Sequence, residues 1–292
     1  MNVCTGSLCT LLVVGTIQMA VAGSPQKFAR FRAGGVVSYG LIEGDQVRRL
    51  QGELFGSHRR TQEVFPLAEV ELLVPVRPTH VFAMAGNYKS HLPGQRIDPK
   101  FQIPQVFFKS VSSLLAHEGT IRLPAGSADV HFEGELVLVI GRRARDVPRE
   151  TAGDHIFGAT CGNDVSARDW QKNDVQWWRA KGCDTFGPVG PFIVSGLNYD
   201  DLVLELRQNG QTKQKQSTRD LIHDSAAIVS FISHHVTLEP GDLIYTGTPG
   251  KTCALQHGDV VEVEIEHIGR LRNKVQREQG GYGSSASGPQ GN

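Results

Sequence analysis

Two carboxylates one residue apart, Glu133 and Glu135, open the apolar run Leu136-Val137-Leu138-Val139-Ile140. In a β-strand side chains alternate between faces, so Glu133 and Glu135 share a face with Val137 and Val139, while Leu136, Leu138 and Ile140 take the other. A strand apolar on both faces is usually buried on both. Two like charges at its mouth then call for a cation between them, and a divalent metal supplies one. The competing reading is a frayed strand end with both carboxylates in water. Asp164, in Asn163-Asp164-Val165-Ser166-Ala167-Arg168-Asp169, offers either a third oxygen ligand or a helix N-cap. Three carboxylates without cysteine or clustered histidine form a hard-ligand set, suited to Mg²⁺, Mn²⁺ or Ca²⁺ rather than zinc.

Other chemistry-bearing residues stand alone. Lys181 lies in the Gly/Pro-bounded stretch 179–188, where a single lysine is commonly solvated. His91 follows the apolar segment Ala83-Met84-Ala85 and its Gly86 turn, a place where histidine is commonly a surface residue. The segment from Thr246 to Thr252 ends in Gly-Lys-Thr, but position 245 is Tyr where a P-loop requires its leading glycine. No G-x-S-x-G is present, so a nucleophile-elbow hydrolase is not supported. His234 and His235 are adjacent, point to different faces of a helix and cannot form a zinc-type pair together.

The elements that must position these residues are mainly strands. Phe28–Arg32 and Val36–Ile42 flank Gly34-Gly35 as a hairpin, with a second turn at Glu43-Gly44-Asp45. Residues 23–75 read as a small β-rich N-terminal region, and 76–276 as the main domain. Within the latter, Ile156–Cys161, Phe192–Val194, Leu202–Gln208, Asp242–Tyr245 and Val260–Ile265 are the clearest strands. Asn209-Gly210 signals a hairpin onto Lys213–Ser217. Helices are few: Ala226–His235, capped by Asp224 or Ser225 and stopped before Pro240-Gly241, and a short piece within Ala167–Trp178. The tail 277–292 is low-complexity and expected to be disordered.

At 292 residues, with 39% hydrophobic and 21% charged content, the chain can bury a full core. Its 30 basic and 30 acidic residues balance, which points to a small metabolite and away from nucleic acid or an acidic membrane surface. Leu11–Ala22 is apolar and rich in small residues, and Ala20-Val21-Ala22 reads as an A-x-A cleavage site. Residues 1–22 are therefore a candidate signal peptide, too short to span a membrane confidently and lacking Lys or Arg in its first seven residues. Beyond it, Cys161, Cys183 and Cys253 form no disulfide framework and suit a reducing compartment. Localisation is accordingly cytoplasmic by cysteine usage, or exported if the leader is cleaved.

Taken in order, His91, Glu133-x-Glu135, Asp164, Lys181-Gly182 and Thr246-Gly247-Thr248-Pro249 resemble the fumarylacetoacetate hydrolase family in its shared catalytic domain. The likeness runs from about Val81 to Val275, through Phe132–Leu136, Gly162–Asp169, Lys181–Pro188, Asn209-Gly210 and Leu238–Asp242. The resemblance implies a mainly β (α+β) fold, a mixed β-sandwich roll with few short helices, and a homodimer. It also implies Glu133, Glu135 and Asp164 as ligands of Mg²⁺ or Mn²⁺, with Lys181 beside the metal. Thr248, Lys109 and Gln171 would bind substrate, and His91 would be the general base on a lid.

Charge then indicates the chemistry. A small oxo or dioxo acid could chelate the ion, which with Lys181 stabilises an enolate. With water deprotonated by His91 the outcome is C–C hydrolysis of an acylpyruvate-like substrate, the leading expectation. Isomerisation of a 2-hydroxy-dienedioate and oxo-acid decarboxylation are the alternatives on the same site. Many smaller family members place a glutamate three residues after the lid histidine, whereas here Leu92-Pro93-Gly94 follow His91. Glu118 is the candidate substitute. The absent glutamate and the leader also motivate a reading from another class, a metal- or ligand-binding protein without catalysis.

Overall fold

Asn209 and Gly210 both take positive φ, 55° and 76°, the geometry of a two-residue hairpin turn. They join strands Val203–Gln208 and Gln211–Ser217 as the sequence indicated. The computed structural model describes residues 24–278. The candidate signal peptide and nearly all of the tail 277–292 lie outside the described residues, although Arg277 closes the last strand. Among the described residues the chain is mostly β with a few short helices, as expected.

Strands from both halves of the chain build one twelve-stranded sheet. Its path begins with the N-terminal strands His58–Pro66, Gln46–Gly52, Val36–Glu43 and Gln26–Ala33. It continues through Gly187–Ser195, Ile156–Asn163, Gly134–Ile140, Leu243–Tyr245 and Val81–Ala85 to Gln105–Lys109. Gln26–Ala33 pairs with Gly187–Ser195, so the N-terminal region extends the main sheet. A five-stranded sheet runs Gln211–Ser217, Val203–Gln208, Val260–Ile265, Gly269–Arg277, Thr120–Leu123.

Gly134–Ile140 is buried along its whole length. Leu136, Leu138 and Ile140 pack with Leu204, Leu206, Val261 and Val263 of the five-stranded sheet, and with Ile228 and Ile232 of helix Ser225–His235. Val137 and Val139 face the opposite way, against Val81, Ala83, Tyr245 and Ile193. Two apolar layers thus clamp the strand that carries the carboxylates, which keeps its mouth in register. Asp224 caps the helix, its carboxylate accepting from the Ala227 N–H at 2.8 Å.

Two local expectations change. The helical piece within Ala167–Trp178 is two short helices, Arg168–Asn173 and Trp178–Gly182, because extended backbone at Asp174 breaks it. Lys181 therefore projects from the last turn of a helix rather than from a loop.

Candidate metal centre and active site

Register brings the carboxylates together. Gly134 pairs with Asn163 in the antiparallel ladder, so the next step outward sets Glu133 opposite Asp164, whose N–H donates to the Glu133 carbonyl at 2.8 Å. Asn163 closes the same mouth, its side-chain oxygen accepting from the Glu133 N–H at 2.9 Å. Cross-strand neighbours share a face, and Glu135 lies on that face two residues along. One oxygen from each of Glu133, Glu135 and Asp164 falls within 4.8 Å of the others, and all three residues are buried. Asp164 is not a helix N-cap: the following helix begins after Ala167 without a side-chain cap.

Cations surround two of the three. Lys181 Nζ donates to Glu133 Oε2 at 2.5 Å and to Asp164 Oδ2 at 2.6 Å. Lys109 Nζ donates to Asp164 Oδ1 at 2.6 Å and to the Lys181 carbonyl. Arg168 Nη2 donates to Glu133 Oε1 at 2.5 Å. Burial works against ionisation of Glu133, but Lys181, Arg168 and His91 outweigh it and hold its carboxyl well below the usual range. Burial likewise opposes charge on Lys181, yet Asp164 and Glu133 raise its pKa overall. Lys109 goes the other way, lowered by burial despite Asp164.

Glu135 has the least support. Its Oε2 accepts from the Gly247 N–H at 2.7 Å, and among the described residues it forms no ion pair. Burial, then the charges of Asp164 and Glu133, push its pKa well above the ordinary carboxylate value. A buried carboxylate flanked by two others, all hard oxygen donors, fits a divalent cation at their convergence. Gly247 is fixed by this contact: its φ is 105°, and a Cβ there would lie 2.8 Å from Asn87 Cβ.

A cleft of about 240 Å³ opens above the cluster. Glu133, Glu135, Lys181 and Thr248 line its floor, with Arg168 and Gln171 beside them. Met84, Phe101, Phe107 and Trp177 supply apolar wall, while His91 and Lys100 come from the 3₁₀ turns Lys89–His91 and Pro99–Gln102. His91 Nδ1 lies 2.7 Å from the Gly250 carbonyl. A carbonyl can only accept, so Nδ1 carries a proton, and in the neutral ring Nε2, 3.6 Å from Glu133 Oε1, presents a lone pair.

Three sequence assignments are revised by these contacts. Glu118 does not orient His91; it pairs with Arg272 at 2.7 Å and with His117 at 3.7 Å. The backbone carbonyl of Gly250 takes that place, and it leaves no side-chain signal to read. Lys109 does not line the cleft but braces Asp164 from behind. Thr248 reaches the cleft, yet its hydroxyl proton is given to the Gly134 carbonyl at 2.9 Å, leaving it only acceptor capacity. Gln171 lines the cleft, with Oε1 accepting from Arg168 Nη1 at 2.8 Å.

Two contributors were missed. Arg168 was seen only as part of a motif. Gln214 is buried in strand Gln211–Ser217 and ties Gly134 N–H at 3.0 Å to Thr248 Oγ1 at 2.8 Å. Gln214 is one of three glutamines in the polar strand Gln211–Ser217, and no period there marks it as buried.

The pattern described as "Fumarylacetoacetate (FAA) hydrolase C-terminal" matches residues 80–276. The chain belongs to the fumarylacetoacetate hydrolase family. Residues 26–75 match the pattern "Rv2993c-like, N-terminal". Within the family, the chain is 42% identical to the 2-hydroxyhepta-2,4-diene-1,7-dioate isomerase structure from Mycobacterium marinum, with a TM-score of 0.81 over 87% of this chain and 99% of that one. It is 36% identical over 227 residues to the mitochondrial oxaloacetate tautomerase fahd2 of Xenopus laevis, covering 73% of this chain and 71% of the relative. A maleylpyruvate hydrolase from Sphingobium, solved with manganese(II) and pyruvate, matches at 28% identity and a TM-score of 0.71 over 87% of this chain and all of that one. Family members are enzymes that include isomerases, hydrolases and tautomerases.

Proposed function

We propose that this chain is a divalent-metal-dependent enzyme that moves a proton on a small oxo dicarboxylic acid, by keto–enol tautomerisation or double-bond isomerisation. Glu133, Glu135 and Asp164 would hold Mg²⁺ or Mn²⁺, which when bound would supply positive charge to a 2-oxo carboxylate. The observation that carries the reading is His91 lining the cleft with Nδ1–H held by the Gly250 carbonyl, which leaves Nε2 to take up or give a proton.

His91 can take a proton from the carbon next to the oxo group and return it at the same or a vinylogous carbon. Once protonated, its Nε2 has Glu133 Oε1 at 3.6 Å as a counter-charge. Lys181 adds fixed positive charge beneath the substrate oxygens. A backbone carbonyl orients the ring without the charge of a carboxylate.

Charge also favours a dianion. The three carboxylates meet three cations, Lys109, Lys181 and Arg168, so the cluster is formally neutral before a divalent ion is added. A dianionic substrate would balance the bound ion. Lys100, over the Phe101 ring at 5.0 Å, is a cleft cation with no ion pair among the described residues and is available to a distal carboxylate. The names of the isomerase and tautomerase relatives both denote dicarboxylates.

C–C hydrolysis is the second reading, favoured by the likeness to the maleylpyruvate hydrolase; the same Nε2 would deprotonate water. A panel of enol-oxaloacetate, a 2-hydroxy-dienedioate and an acylpyruvate, each with Mg²⁺ or with chelator, separates the readings. The expected result is chelator-sensitive tautomerisation or isomerisation, with dicarboxylates preferred over 2-oxobutyrate and that preference reduced in Lys100→Gln. Hydrolysis without isomerisation would reverse the order, and no turnover of any substrate would leave a binding protein.

A further inference from the structure

A hydrogen-bonded chain outside the cleft ends on one of its lining residues. His131 Nε2 lies 2.8 Å from Asp129 Oδ1, and His131 Nδ1 lies 2.9 Å from Thr252 Oγ1. Arg168 Nη2 donates to that same Thr252 oxygen at 3.0 Å and to Glu133 Oε1. The backbone is tied at the same place: Arg168 N–H donates to the Asp129 carbonyl at 2.7 Å, and strand Val130–His131 pairs with Ser166–Ala167. His131 also bridges to Ala254, two residues beyond Thr252.

Donor counting gives the chain a direction. A guanidinium has no acceptor, so Thr252 Oγ1 accepts from Arg168 and its own proton is available to His131 Nδ1. When the imidazole is neutral, this order puts its proton on Nε2, where Asp129 accepts it. Every donor meets an acceptor in the order Arg168, Thr252, His131, Asp129. With Nη1 given to Gln171 Oε1 and Nη2 to Glu133 and Thr252, the guanidinium plane has three fixed points. One Nη1 N–H and the Nε–H are left uncommitted among the described residues, on a residue that lines the cleft.

We propose that Asp129, His131 and Thr252 are positioning residues, a relay that fixes the plane of Arg168 so that it presents a preset N–H to the substrate's anionic oxygen. Gln171 and Glu133 alone leave the guanidinium free to tilt about the axis that joins them. The kinetic arm of the test rests on the oxo-acid reading above; the spectroscopic arm does not.

Thr252→Val keeps the shape and removes the hydroxyl, and Thr252→Ser restores it. With enol-oxaloacetate and Mg²⁺, Thr252→Val should raise KM about tenfold with kcat changed by less than about twofold, the size expected for one charge-assisted hydrogen bond. Thr252→Ser should return KM to the parent value. His131→Gln should raise KM in the same direction, by about threefold, since it acts one bond further away. Independently, ¹⁵N NMR of the imidazole at pH 8, assigned by the signal lost in His131→Gln, should show His131 protonated on Nε2, with that preference lost in Thr252→Val. An Nδ1–H tautomer in the parent protein, or an unchanged KM in folded Thr252→Val, overturns the relay. If the parent does not turn over the probe, the functional reading fails and the tautomer alone decides the relay.

Discussion

At the residue scale, Glu135 separates a metal site from a buried salt-bridge network. Glu133 and Asp164 each have ammonium or guanidinium partners, whereas Glu135 has one N–H and two like charges. Glu135→Gln should therefore weaken Mn²⁺ binding by at least about a hundredfold, read by calorimetric titration, while leaving the metal-free melting temperature equal or higher. The pH dependence follows from the direction of the shift. Because the folded-state pKa of Glu135 lies well above its reference of 4.5, the folded metal-free protein holds a proton that the unfolded chain has released. Its contribution to stability is full below 4.5 and is lost as pH rises through the folded value. Glu133, shifted down, contributes above 4.5 and loses that contribution only as pH falls through its own low value, so the two windows do not overlap. Urea midpoints of the metal-free protein should fall with rising pH above 4.5, and Glu135→Gln should remove that slope. An unchanged slope would contradict the assignment.

Secondary-structure elements set what could be read from the chain. The alternation of Glu133 and Glu135 with Val137 and Val139 was legible because strand geometry alone decides which side chains share a face. The partnership with Asp164 was not, since it depends on the register Gly134↔Asn163 across a long connection. The Asn209-Gly210 turn was legible as a local conformational signal, while the break at Asp174 was not. There, Arg179 binds Asp174 through two hydrogen bonds of 2.6 and 2.7 Å, a contact that a helical pattern does not reveal. The Thr246-Gly247-Thr248 turn was recognised as a motif, but its role as the donor to Glu135 required coordinates. Gly247→Ala should strain the backbone at φ 105° and meet Asn87, lowering stability by about 1–3 kcal/mol in urea unfolding. It should also weaken Mn²⁺ binding, because the strained turn moves the residue-247 N–H away from the Glu135 carboxylate. Metal affinity equal to the parent's would show that the turn does not position Glu135.

At the scale of the molecule, the large sheet ends on Gln105–Lys109, whose outer edge is unpaired among the described residues. Phe108 on that strand, Ile103 and Val111 flanking it, Val175 in the bend between the two short helices and Trp178 at the start of the second are all exposed, Val175 at 97%. Large apolar side chains gathered beside a free edge mark an association surface. We propose that a second copy of this chain covers it, close to the cleft wall formed by Phe107 and Trp177. Light scattering on a sizing column should return twice the chain mass, and Val175→Asp combined with Trp178→Glu should return the monomer. A parent protein that is monomeric at micromolar concentration would refute the proposal. No helix among the described residues is long and apolar enough to cross a membrane.

Proton transfer to and from carbon by His91 over the three-carboxylate site is the central claim. Its most direct measurement is the ¹H NMR rate of hydrogen–deuterium exchange at C3 of oxaloacetate in D₂O, which registers the step whether or not a net product accumulates. The account predicts exchange that needs Mg²⁺ or Mn²⁺, stops with chelator, and falls at least about a hundredfold in His91→Gln, in the range typical of a lost general base. Exchange that persists undiminished in His91→Gln, with the metal-loaded protein folded, would contradict it.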